Sequence, residues 1–170
     1  MRALIFSLPC LAVFFLTGCA GYHLGAVNGA VAGDKTIEVL PFNNQTLQPR
    51  FGDAVTQALR ERLQVDDTYR LVTSSPGDVV VSGVIRAYER EGLGNLNKDA
   101  VTPQNYRIGA TAHVVVRDRA TGKLILERDI KGHTLVNLGL DFASSERQAA
   151  PLLAADLAQN IVAQITEGAW

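Results

Sequence analysis

Val79-Val80-Val81-Ser82-Gly83-Val84-Ile85-Arg86-Ala87-Tyr88-Glu89-Arg90 decides the fold, because its side chains separate by parity into two unlike rows. Val79, Val81, Gly83, Ile85 and Ala87 make an apolar row; Val80, Ser82, Val84, Arg86, Tyr88 and Arg90 make a charged one. Successive strand side chains point to opposite faces, so one apolar row predicts a sheet covered on one side. The division recurs from Tyr106 to Arg117, where Ile108, Ala110, Ala112, Val114 and Val116 oppose Arg107, Thr111, His113 and Arg117. After a Thr121-Gly122 turn it recurs from Lys123 to Thr134, with Leu124, Leu126 and Ile130 opposite Glu127, Asp129, Lys131 and His133. Arg128 interrupts that last apolar row, and a Gly- and Asn-rich loop from Gly92 to Pro103 joins the first two strands.

Upstream, Thr36 to Leu40 is a β-branched run closed by Pro41, a first strand, followed by a turn-rich loop from Asn43 to Pro49. Phe51, Ala54, Val55, Ala58, Leu59 and Leu63 then fall at helical spacing, which predicts a helix over 50–65 with Arg60, Glu61, Arg62 and Gln64 mostly on its other side. A short strand from Tyr69 to Thr73 completes a strand–helix–strand crossover, which predicts parallel pairing and a right hand. At the other end, Leu153, Leu157, Ile161 and Ile165 step by four, a second amphipathic helix ending at Gly168. Ser145 and Gln148 could cap it earlier, but Pro151 would then lie inside at a cost of about 3 kcal/mol, so the expected start is near Pro151. The fold class expected is α+β: a two-layer sandwich, two helices packed on one face of a mixed four- to five-stranded sheet. The other face is left without cover, and function is expected there.

The chain opens with Met1-Arg2, an apolar run from Ala3 to Leu16, then Thr17-Gly18-Cys19, which is the layout of a signal peptide over residues 1–18. At 14 residues this run falls short of the roughly 20 that a membrane-crossing helix needs. Leu16-Thr17-Gly18-Cys19 resembles the bacterial lipobox, which implies cleavage before Cys19 and acylation of its thiol. Residues 19–35, with Gly21, Gly25, Gly29 and Gly33, then read as a lipidated linker, and 36–170 as a single sandwich domain. Two or three acyl chains, each CH₂ contributing about 0.8 kcal/mol, would hold the domain stably at a membrane. Ala20 after the cysteine, where inner-membrane lipoproteins of familiar Gram-negative bacteria usually carry Asp, implies delivery to the cell outer membrane.

Composition excludes several classes. Sixteen Lys plus Arg against 17 Asp plus Glu give a net charge of −1, without the basic excess of a nucleic-acid binder. Cys10 lies within the signal run, so the mature chain keeps one cysteine and forms no internal disulfide. His23, His113 and His133 lack metal-ligand spacing, and no GxSxG, P-loop or paired nucleophile and base occurs. A protein that is not an enzyme, with no metal and no cofactor, is the expectation.

The residues after the lipid cysteine, Gly21-Tyr22-His23-Leu24, resemble the start of mature chains in the LptE family of lipopolysaccharide-assembly lipoproteins, with Ala20 as an extra residue here. The resemblance continues through Thr36-Ile37-Glu38-Val39-Leu40-Pro41-Phe42-Asn43-Asn44, Ala54 to Leu59, Asp78 to Gly83, Tyr106 to Gly122 and Asp156-Leu157-Ala158. It implies two helices on a mostly four-stranded sheet. It also implies a non-enzymatic partner of LptD, the outer-membrane β-barrel, which this protein would plug from the lumen or periplasmic side and help assemble while touching lipopolysaccharide.

A plug needs a wide polar surface toward a polar lumen. Arg86, Arg90, Arg107, Arg117 and Lys131, with Tyr88, are the candidate contacts to lipid phosphates or luminal carboxylates, since cations form charge-assisted bonds with both. The plainer alternative is that they solvate an exposed face and pair with Glu89, Glu127 and Asp129. A rival family resemblance, to outer-membrane lipoproteins that activate peptidoglycan synthases or form curli-secretion pores, rests on Val39-Leu40-Pro41-Phe42-Asn43-Asn44 and Asp118-Arg119-Ala120-Thr121-Gly122-Lys123. Against it, the 16 residues between Cys19 and the first strand reach at most about 55 Å, too short to cross to an inner-membrane synthase.

Overall fold

Three long strands set the sheet. A computed structural model describes residues 33–93, 105–137 and 142–167; the signal peptide, Cys19, most of the linker and the loop at 94–104 lie outside the described residues. In chain order the elements are β1 (Thr36–Val39), β2 (Asn43–Asn44), α1 (Phe51–Asp66), β3 (Arg70–Val72), β4 (Val79–Leu93), β5 (Asn105–Asp118), β6 (Leu124–Asn137) and α2 (Phe142–Glu167). The sheet runs β3-β1-β4-β5-β6, with β2 also on β4. β1 is parallel to β3 and β4, as a strand–helix–strand crossover requires, and β4, β5 and β6 are antiparallel.

Helix α1 lies over β1, β2 and β3, and α2 over β5 and β6, side by side. Phe51, Val55, Leu59 and Leu63 of α1 and Leu153, Leu157, Ile161 and Ile165 of α2 are buried against Ile37, Val81, Ile108, Val114 and Val116. The expected architecture therefore stands: α+β, two layers, a mixed sheet covered on one face.

β1 and β2 are one edge interrupted by a corner. Leu40 N–H donates to Val81 O and Gln45 N–H to Ile85 O, so both strands use the same side of β4. Between them Phe42 turns inward, and its amide donates to Thr56 Oγ1 at 2.9 Å, whose hydroxyl donates to Gly52 O at 2.7 Å. The ring occupies the space above Gly83, where a Cβ would lie 2.3 Å from Phe42 Cε1. Gly83 is thus a packing requirement and not a loop signal. Arg60 departs from the solvent-facing role expected of it, reaching back to donate to Val39 O at 2.8 Å.

The C-terminal helix corrects the sequence expectation. It begins at Phe142, nine residues before Pro151, which sits inside the helix. Pro151 removes one hydrogen bond to Arg147 O, but its ring lies on the exposed side, while Glu146 and Ala149 of the same arm are buried. Tertiary contacts of the early turns offset the local cost of about 3 kcal/mol. Leu124 also departs from expectation: a register shift between Val116 and Arg117 pairs it with Arg117, and it is 41% exposed.

At the near end of the sheet a polar staple joins three segments. Asp78 accepts from Thr36 N–H at 2.9 Å and from Thr36 Oγ1 at 2.6 Å, while Arg119 bonds Glu38 and Gly77 O. The Thr36 hydroxyl, then its amide, hold the Asp78 carboxyl below its ordinary pKa. A lowered folded-state value contributes stability above the unfolded carboxylate pKa, and that contribution is lost as pH falls through the lowered value. Thr36→Val keeps the amide and removes the hydroxyl. The variant should be less stable at neutral pH, and the gap in urea midpoint to the parent chain should narrow as the carboxyls protonate, down to the part due to the Asp78 N–H that also donates to the Thr36 hydroxyl at 2.8 Å; a constant difference across that range would refute the assignment.

Candidate functional site

The side of the sheet away from the helices carries the candidate site, and a bulge in β4 decides which residues reach it. β4 and β5 stay in register to the pair Ile85 and Ala112, and then Ala87 pairs with Thr111, leaving Arg86 as an extra residue. One inserted residue reverses the alternation beyond it. Tyr88 now pairs with Ala110 and Arg90 with Ile108, both core-facing, while Ala87, Glu89 and Glu91 take the open face with Thr111, Gly109 and Arg107.

Two of the six expected contact residues are therefore placed elsewhere. The Tyr88 ring meets Phe51 edge-on with centroids 5.3 Å apart. Arg90 lies 5.2 Å over that ring, and its Nε donates to Glu146 Oε1 at 2.6 Å. Burial, then the Glu146 charge, push the Tyr88 phenol well above its ordinary pKa, and the hydrogen bond that Arg90 donates to Glu146 raises its own. Tyr88, Arg90 and Glu146 fasten the first turns of α2 to β4 beneath the sheet. Glu146 could not be singled out from sequence, because the expected helix began after it.

Arg86, Arg107, Arg117 and Lys131 do share the open face. Arg86 pairs with Asp129 at 3.2 Å, both side chains about half exposed, and Arg107 with Glu91 at 3.3 Å. His113 sits between Asp129, 2.8 Å from Nδ1, and Glu127, 3.4 Å from Nε2. Among the described residues Arg117 and Lys131 carry no ion pair. A depression of about 380 Å³ floored by Gly109 lies between Glu89, Arg107, Thr111, Lys131 and His133. The face is a mosaic of both signs, with free cations beside paired ones. The pairing partners foreseen from sequence included Asp129 but not Glu91, which lay just beyond the strand as read.

Exposed pairs of this kind are worth about 0–1 kcal/mol, since water solvates each partner nearly as well. They can be exchanged at little cost for carboxylates or phosphates of another molecule. Among the described residues no group of three or more His, Cys, Asp or Glu is placed to hold a metal ion, and no helix is long and apolar enough to cross a membrane.

Comparison with known proteins gives three findings. The family described as "LptE: Lipopolysaccharide-assembly" matches residues 35–165. No curated protein sequence matches. Solved structures share the fold at low identity. The hypothetical protein CT253 from Chlamydia trachomatis is 15% identical with a TM-score of 0.55, covering 79% of this chain and 96% of its own. A minor lipoprotein from Acinetobacter baumannii is 16% identical with a TM-score of 0.53, covering 78% and 93%. Rare lipoprotein B from Shewanella oneidensis is 14% identical with a TM-score of 0.50, covering 76% and 94%.

Proposed function

This chain belongs to the LptE lipopolysaccharide-assembly family, and on that footing we propose that it is a non-enzymatic outer-membrane lipoprotein that plugs an LptD-type β-barrel, helps assemble it and assists lipopolysaccharide insertion. Acyl chains on Cys19 would tether the domain to the outer membrane. The observation that carries the reading is a sheet with both helices on one side and a polar, mixed-charge opposite face. A β-barrel lumen is polar and lined by alternate strand residues, so an uncovered sheet face with exchangeable ion pairs suits it.

On this reading Arg86, Arg107, Arg117 and Lys131 meet luminal carboxylates or lipid phosphates. Among the described residues Arg117 and Lys131 have no ion-pair partner to surrender. Tyr88 and Arg90 act from below, holding the sheet and α2 together.

Charge reversal at Arg107 and Arg117 together tests the contact role. The double variant should keep its fold, since both side chains are at the surface, and lose roughly tenfold or more in binding to barrel and lipopolysaccharide, about 1.4 kcal/mol. Unchanged binding to both would mean that the cations only solvate the face. Affinity capture from detergent-solubilised outer membranes, read by mass spectrometry, should recover a large barrel protein; recovery of a peptidoglycan synthase without one would favour the rival reading.

A further inference from the structure

The sheet has a second docking feature, at an edge and not on the open face. On the side away from β5, β4 pairs with β1 as far as Val81 and with β2 at Val84 and Ile85. Beyond that, among the described residues, no strand lies beside Ala87–Leu93. Val81 and Ile85 turn their carbonyls toward β1 and β2, and after the bulge the same outward role passes to Tyr88, Arg90 and Gly92. Three residues thus leave both N–H and C=O on an open edge, the arrangement that accepts an added strand.

The edge begins in a prepared groove. Asn44 Oδ1 accepts from the Thr46 amide at 3.0 Å and its hydroxyl at 2.7 Å, while Asn44 Nδ2 donates to Gln48 O at 2.7 Å. This locked turn holds Leu47 fully in solvent, 101% exposed, at the mouth of a groove of about 320 Å³ bordered by Gln48, Ala87 and Glu89. Because these bonds already fix the turn's backbone, seating Leu47 against a partner costs less backbone freedom than it would from an unrestrained loop.

Charge selects the occupant. Glu89 and Glu91 project from the open face along this edge; Glu91 pairs with Arg107, and Glu89 has no ion pair among the described residues. A second copy paired about a two-fold axis would set these carboxylates against each other, which disfavours cross-strand pairing. We propose that the β4 edge over residues 87–93 accepts an extended segment of another protein carrying Lys or Arg at alternate positions, as an added strand. This goes beyond the open-face reading and does not depend on it.

The probe is a capped synthetic peptide of alternating lysine and valine, about eight residues long, added to the full chain in detergent micelles, with an alternating glutamate and valine peptide as its counterpart. Amide hydrogen exchange at Tyr88, Arg90 and Gly92, fast in the free protein, should slow with the basic peptide and not with the acidic one. Gly92→Pro removes one outward amide without touching the β5 ladder, and Glu89→Lys reverses the unpaired charge; each should weaken basic-peptide binding roughly tenfold at an unchanged unfolding midpoint. The inference is overturned if those amides stay fast, if both peptides protect them equally, or if both variants bind as the parent does. Sedimentation showing that the free chain dimerises, with the same amides protected, would assign the edge to a second copy and overturn it too.

Discussion

Gly132→Val should be severely destabilising, by on the order of 3 kcal/mol, although valine is the better strand former. Gly132 lies on the helix side of β6, opposite Ala110, and a Cβ there would come 2.8 Å from Leu157 N and Leu157 Cα. These are backbone atoms of α2, which cannot rotate aside as a side-chain tip would. The helix must retreat, and Leu157 and Ile161, both fully buried, lose contact with the sheet. Gly109→Ala is the matched control on the opposite face, where the new Cβ would lie 3.6 Å from Gly132 O, an ordinary contact, and should change stability by no more than about 0.5 kcal/mol. Urea midpoints of the two variants check the pair; equal midpoints would show that α2 does not lie on β6 as described.

The same close approach explains how β6 tolerates being an edge. Asp156 accepts from His133 N–H at 2.9 Å, and Asn160 donates to Lys131 O at 3.0 Å. Two polar residues one helical turn apart thereby satisfy outward backbone groups of the strand. Among the described residues β4 beyond its bulge has no such cover, and the two edges of the far half of the sheet are for that reason unlike.

What sequence disclosed and what it hid follow one physical line. Alternation over residues 79–85 and 106–116 and helical spacing over 51–63 are driven by burial against a single core, so they were legible one segment at a time, and they gave the layers correctly. Pro151 misled because propensity is local, whereas the helix start is decided by Glu146 and Ala149 finding partners on β4 and in the core. The bulge at Arg86 was hidden for a related reason. Arg-Ala-Tyr-Glu-Arg alternates acceptably in either parity, and nothing within the strand says which parity holds once one residue is extra. One hint was present: Tyr88 is the most apolar residue of that stretch, and a sheet with one covered face has a place for it beneath the helices. Open-face charges were legible as a class, yet their partners depend on cross-strand register, which no single strand contains.

Phe51→Ala carries the other large expected effect and tests that parity directly. Phe51 is 1% exposed at the first turn of α1, and truncating a buried phenylalanine costs about 3–5 kcal/mol in transfer and cavity energy. Part of the loss should belong to the edge-to-face contact with Tyr88, for which pairs of this geometry contribute about 0.5–1.5 kcal/mol beyond buried area. A double-mutant cycle with Tyr88→Ala isolates that share, because the coupling appears only if the two rings touch. Strict alternation without the bulge would send Tyr88 to the open face with Arg86, on the far side of the sheet from Phe51, and the coupling would vanish. A coupling of about 1 kcal/mol therefore places Tyr88 beneath the sheet and, with it, Arg90 on Glu146; additivity of the two substitutions would return both residues to the face offered to a partner.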